Sequence, residues 1–245
     1  MDNSGRDWPV PPPHLKLPGE EVHVWLAKLD AWWPALPTLN NSLSRPELEH
    51  AAKFRFEREQ KNFAAGRGLL RLILSRYLNI AAADLQFDYG FHGKPKLAGA
   101  GAASNLNFNL SHSGLLAVFA FALVRNVGVD LEEIAPLVEM DDIAQRYFSA
   151  EENARLSVGP RERRPELFFQ IWTRKEAVLK CDGHGFGDEG RIQQACEQFQ
   201  GVVCPLNISA GYVAHLAIST PARLRTWRLE SQSFAAPRPV PNQIA

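Results

Sequence analysis

Two stretches of this chain concentrate side chains able to act on a phosphorylated substrate. The first is GVDLEE, residues 128–133. In a strand, Val127, Val129 and Leu131 face one side while Asp130 and Glu132 face the other. Two carboxylates about 6–7 Å apart along one strand face repel each other unless a cation bridges them. The second stretch is FFQIWTRKEAVLK, residues 168–180. At about 100° per residue, Phe168, Ile171, Trp172, Val178 and Leu179 form one apolar helical stripe. Lys175 falls near the middle of that stripe, Glu176 lies at its edge, and Lys180 follows one turn later. A lysine under apolar side chains either meets an anion or snorkels to water. Glu176 brought up to Asp130 and Glu132 makes three oxygen donors, a set that suits Mg²⁺ and its phosphate ligands. Taken alone, GVDLEE is explained equally well by an ordinary solvated acidic strand end.

Other basic and polar groups are scattered before these stretches. SHS, residues 111–113, sits between two apolar strands, where His112 could reach a phosphate from the sheet rim or simply end a strand. GKPKL supplies Lys94 and Lys96 on a turn stiffened by Pro95. In GRGLLR, Arg67 and Arg71 share a helix face beside Gly66 and Gly68, which a close ligand or helix packing would equally require.

The elements that must position these groups follow from the pattern of the chain. EVHVWLAKL at 21–29 alternates as a strand, and the pattern from about Arg45 to Leu78 is helical. LQFDY predicts a short strand, FHGKPKLAGAGA a glycine-punctuated loop, and FNLSHSGLLAVFAFAL a strand, a polar interruption and a longer buried strand. NVGVDLEEI then opens a second half with the same grammar. One or two short helices are expected over 139–158 and a long one over 165–182, stopped by the glycine-rich CDGHGFGDEG. Strands are expected near FQGVVCPL, YVAHLAIS and RLRTWRLE. The result is an α+β protein. Its expected parts are a Pro-rich extension (1–20), an N-terminal lobe (21–125), a C-terminal lobe with the carboxylates (126–230) and a Pro-rich tail (231–245). The Pro-rich ends are expected to be ordered only where they lie on the surface, and the cleft between the halves is the expected ligand site.

Composition narrows the function. Lys+Arg and Asp+Glu both total 27, so no net charge draws the chain to nucleic acid or an anionic membrane, and any anion site must be local. The three cysteines lack metal-knuckle or disulfide spacing and suit a reducing compartment. The N-terminus lacks a signal-peptide core, and the longest apolar run, LLAVFAFALV, is ten residues, too short to span a bilayer. A soluble cytoplasmic protein is the expectation.

In order along the chain, GRGLLR, GKP, NLSHS, GVDLE and WTRKEAVLK resemble the 4'-phosphopantetheinyl transferases of the surfactin-synthetase-activating (Sfp) type. The resemblance runs from about residue 45 to about residue 187. It implies two similar α/β lobes related by a pseudo-twofold axis, with coenzyme A in the cleft and Mg²⁺ (or Mn²⁺) on its pyrophosphate. By the same resemblance Asp130, Glu132 and Glu176 hold the metal, and Lys175 and His112 contact coenzyme A phosphates. Arg67, Lys94 and Ser111 lie near its phosphates or its adenosine 3'-phosphate end, and Lys53 is a further candidate there. Glu176 is the implied base, directly or through water, and Lys180 stabilises or protonates the leaving phosphate. The partner is an apo acyl or peptidyl carrier protein, which receives the phosphopantetheine arm on a serine while adenosine 3',5'-bisphosphate leaves. A monomer is expected. Two rival readings are a Mg²⁺-dependent phosphohydrolase or nuclease and an inactive carrier-binding module.

Overall fold

The computed structural model describes residues 8–90, 93–183 and 189–230. The first half builds β1 (Glu21–Lys28), α1 (Leu36–Asn40), α2 (Arg45–Ala51), α3 (Glu57–Leu78), β2 (Gln86–Tyr89), β3 (Pro95–Ala98), β4 (Leu106–Ser113) and β5 (Leu116–Leu123). The second builds β6 (Val127–Glu133), α4 (Met140–Tyr147), α5 (Ala150–Val158), α6 (Arg164–Asp182), α7 (Glu189–Gln198), β7 (Val202–Leu206), β8 (Tyr212–Ile218) and β9 (Arg223–Leu229).

Each half repeats one plan: a first strand, a long helix, then an antiparallel hairpin whose second strand pairs with the first. The sheet orders β4-β5-β1 and β7-β8-β6 are therefore equivalent, and the fold is α+β with two sheet-and-helix lobes. Strand alternation sorts the core into layers. Trp25 and Ala27 of β1 pack towards α3, whereas Val22, Val24 and Leu26 pack on Val129 and Leu131 of β6 and Leu216 of β8. On the far side of that second sheet, Ala217 meets Ala177 and Cys181 of α6. The order of layers is α3, first sheet, second sheet, α6.

The sequence reading needs correction at several places. KPKLA is not loop: Pro95–Ala98 is a strand that pairs with β2, because Phe87 and Leu97 both have the first core to cover. SHS does not interrupt a strand but continues β4 to Ser113, and the turn falls on Gly114 at φ +56°. That left-handed backbone favours glycine, and an added Cβ would also have to displace the ends of the Glu133 and Tyr212 side chains. α1 and α7 have no counterpart in the sequence reading. β9 leaves the second lobe and runs parallel to β1, so residues 126–230 do not form one sheet-and-helix unit. The N-terminal extension is anchored rather than superficial. Trp8 is buried in the layer between the sheets and donates from Nε1 to Asn207 O at 2.7 Å, while Arg228 N donates to Pro9 O. The expected tail, 231–245, and part of the glycine-rich stop, 184–188, lie outside the described residues.

Candidate active site

The site forms where β4, the edge of the first sheet, lies along β6, the edge of the second. An edge strand has outward N–H groups to satisfy. Those of β6 at Val129, Leu131 and Glu133 find side chains of β4: Asn109 Oδ1 at 2.8 Å, Ser111 Oγ at 3.3 Å and Ser113 Oγ at 3.0 Å. The two serines also donate to the carboxylates that project from β6. Ser111 Oγ lies 2.9 Å from Asp130 Oδ1 and Ser113 Oγ 2.8 Å from Glu132 Oε2.

Helix α6 supplies the opposite wall. Pro165 in its first turn, Glu166 near its N-terminus, Lys180 in its last turn and Gly183 at φ +78° are appropriate end signals. The helix can sit close to β6 because Gly128 has no side chain; a Cβ there would lie 2.1 Å from Ala177 O and 2.3 Å from Cys181 N. Thr173 fixes the rotation. Its Oγ1 donates to Phe169 O at 2.7 Å and meets His215 Nδ1 at 2.8 Å, which assigns the proton to that ring nitrogen. Burial drives the His215 pKa down to about 4, with Arg174 adding to the effect.

So placed, Lys180 Nζ donates to Asp130 Oδ1 at 2.6 Å and approaches Ser111 Oγ at 3.4 Å. Burial alone would lower the Lys180 pKa, but the charges of Asp130 and Glu176 overcome it and raise it. Glu176, one turn back on the same helix face, has its pKa pushed up to about 7, first by burial and then by Asp130 and Glu132 against the pull of Lys180. Burial likewise raises Glu132, against the Ser113 hydrogen bond. His112 lies near the end of β4 as an exposed residue, and partial desolvation followed by the Lys180 charge lowers its pKa.

The donor set here is chemically right for Mg²⁺: hard carboxylate oxygens, with Asp130 Oδ2 buried and without a hydrogen-bond partner. Among the described residues, however, no three such groups converge closely enough to enclose a metal, and the charge paired with Asp130 is the Lys180 ammonium.

Several residues expected to contact coenzyme A sit elsewhere. Lys175 is buried, yet its anion is Glu152 of α5, whose Oε2 is 2.8 Å from Nζ, with Gln193 of α7 at 3.0 Å. It points into the helical layer because it follows Thr173, the sheet-facing residue, by two positions. Arg67 is engaged by Glu47 Oε1 at 2.9 Å and donates to Tyr89 Oη at 2.6 Å. Lys53 is exposed on the turn after α2. Lys94 does reach the seam, donating to Val127 O at 3.2 Å and to Lys180 O, and burial lowers its pKa. A cleft of about 430 Å³ opens beside it, lined from both halves by residues including Lys96, Asn107, Asn126 and Asp182. Ser113 and Asn109, which hold the two strand edges together, were missed. The N-x-S-x-S alternation in NLSHS carried that signal.

The carboxylates of β6 and the glutamate and lysine of α6 all lie in the second of two lobes built on one plan. Residues 25–123 match the family described as 4'-phosphopantetheinyl transferase, N-terminal, and residues 126–237 match the 4'-phosphopantetheinyl transferase superfamily. The 4'-phosphopantetheinyl transferase HetI of Nostoc sp. is 40% identical over 188 residues, covering 77% of this chain and 79% of that one. The 4'-phosphopantetheinyl transferase Sfp of Bacillus subtilis is 28% identical over 143 residues, 58% of this chain and 61% of its own. The mouse L-aminoadipate-semialdehyde dehydrogenase-phosphopantetheinyl transferase is 29% identical over 198 residues, 78% of this chain and 61% of its own. The chain belongs to the 4'-phosphopantetheinyl transferase family.

Proposed function

We infer that this protein transfers the 4'-phosphopantetheine arm of coenzyme A to a serine of an apo acyl or peptidyl carrier protein, as an Sfp-type transferase. The observation that carries this is the grouping on one wall of Glu176 with the Lys180–Asp130 pair, and burial raises the Glu176 pKa to about 7, the range that suits a general base. On this reading Asp130, Glu132 and Glu176 hold Mg²⁺, which when bound supplies charge neutralisation for the pyrophosphate of coenzyme A.

The rest is done by the chain's own side chains. Glu176 takes the proton from the carrier serine as its Oγ bonds to the β-phosphorus. The bond from that phosphorus to the departing adenosine 3',5'-bisphosphate breaks, and Lys180 neutralises the charge that grows on it. His112 and Ser111 stand on the β4 rim within reach of the phosphates, and Lys94 and Lys96 line the adjoining cleft on the side proposed for the adenosine end. Arg67 is paired with Glu47 and Lys175 with Glu152, so either would have to exchange that partner to meet a coenzyme A phosphate. No described helix is long and apolar enough to cross a membrane, the three cysteines are free, and a cytoplasmic monomer remains our reading.

Intact-mass spectrometry of apo-carrier proteins incubated with enzyme, coenzyme A and Mg²⁺ tests the function. One phosphopantetheine per adenosine 3',5'-bisphosphate released is the expected result. Rapid cleavage of coenzyme A with no mass gained by any carrier would instead favour a phosphohydrolase.

A further inference from the structure

Ser111 and Ser113 make the same pair of bonds two residues apart. Each hydroxyl accepts a β6 N–H, from Leu131 and Glu133 respectively, and donates its only proton to the carboxylate of the residue just before, Asp130 or Glu132. A hydroxyl that accepts an N–H has fewer directions left for its proton, and in each serine the proton goes to one carboxylate, so each serine orients one acid. Asn109, the first rung, accepts Val129 N–H at 2.8 Å and touches neither carboxylate. The row therefore separates two jobs: all three rungs join the lobes, and only the serines aim acids.

We propose that Ser113 is a positioning residue for the metal site: from the first lobe, it fixes the Glu132 carboxylate of the second in the orientation that receives a divalent cation. The site is then complete only when β4 lies in register along β6. A slip of β4 by one residue would present His112 and Leu110 in place of the hydroxyls, because side chains alternate. Ser113 is not itself a ligand in this account. Its hydroxyl proton is spent on Glu132 Oε2, and Glu132, so held, would be one of the carboxylates available to a divalent cation. Removing such an outer hydrogen-bond partner costs about 10–100-fold in metal affinity at comparable sites.

The inference rests on the Mg²⁺ reading of Asp130 and Glu132, and the experiment separates the two. Mn²⁺ binding to the full chain is followed by electron paramagnetic resonance without coenzyme A or carrier, and thermal melting is recorded without metal. The wild type should bind Mn²⁺ and Asp130→Ala should not. Ser113→Ala should weaken Mn²⁺ about tenfold or more while lowering the metal-free melting temperature less than Asn109→Ala does, since its rung is exposed and that of Asn109 is buried, and Ser113→Thr, which keeps the hydroxyl, should restore the affinity. Asn109→Ala should lower the melting temperature while keeping Mn²⁺ affinity near the wild-type value. Unchanged affinity in Ser113→Ala, or an equal loss in Asn109→Ala, overturns the positioning role while leaving the metal site standing. A wild type that takes up no Mn²⁺ overturns the metal reading and this inference with it.

Discussion

Lys175 shows how much a single ion pair changes the reading of a residue. Its side chain is 3% exposed and that of Glu152 is 18% exposed, and Glu152 Oε2 also closes a capping box on Ser149 N at 2.7 Å. Lys175→Met would leave that carboxylate half-satisfied, so it should cost about 3 kcal/mol, the low end for breaking a buried pair because Glu152 keeps some water. Denaturant unfolding checks this, and the double variant Lys175→Met with Glu152→Leu should recover much of the loss. His23 gives a second prediction. It is buried between Tyr77 Oη at 2.7 Å and Glu21 Oε2 at 3.1 Å, and burial lowers its pKa against the pull of Glu21. The unfolded chain then binds a proton that the folded one refuses. Stability is fully present above the ordinary histidine value near 6.5 and falls as pH drops below it. His23→Gln should flatten that part of the stability–pH curve measured by urea titration. At this scale Asp130, Glu132, Glu176 and Lys180 are legible in the sequence, since strand alternation and one helical turn are local rules. The partner of Lys175 is not, because Glu152 lies on another helix and no periodicity links them.

Among the elements, α6 and β6 approach so closely that one methyl group decides their spacing. Gly128→Ala would set a Cβ against backbone atoms of Ala177 and Cys181, which cannot swing aside as side chains do. We expect a loss of at least about 1–3 kcal/mol, the usual range for overpacking. Transfer should fall further than stability alone explains, because Glu176 and Lys180 ride on the displaced helix. Comparing turnover with melting temperature separates the two effects. The two lobes also share a device that the sequence conceals. Ser44 and Ser149 each open a short helix with a capping box, and the glutamate three residues on, Glu47 or Glu152, reaches back to a buried cation of the long helix. Glu47 takes Arg67 and Arg71, and Glu152 takes Lys175. Ser-x-x-Glu is legible as a helix start, but its second bond is visible only once α2 lies on α3 and α5 on α6. β5 is legible almost to its ends, whereas the helical pattern from about Arg45 to Leu78 hides the break between α2 and α3. β3 is not legible, since four residues that open on Pro95 carry no period and gain their strand from β2.

At the scale of the whole molecule, the segment from Trp8 to Pro13 packs against both halves. Trp8 fills the edge of the layer between the sheets, and Arg76 of α3 donates to Pro12 O and Pro13 O. Trp8→Ala should cost about 3–5 kcal/mol, as for other buried tryptophans, with a single cooperative melt rather than separate transitions; calorimetry reads both. The strand-helix-hairpin grammar of each half is legible in the sequence, whereas the crossing of β9 is not, because nothing local distinguishes an edge strand of one sheet from that of another. The crossing has a consequence for how the protein is made. β1 leaves the ribosome long before its partner along one edge, where Val22 faces Leu224. Pairings so distant in sequence are slow to close. Between the emergence of β5 and that of β9, β1 therefore has β5 on one side and nothing on the other, while β6, β7 and β8 can already assemble on α6. A nascent chain halted before residue 223 should be cut readily by protease within the first half, and one extended past residue 229 and clear of the exit tunnel should resist.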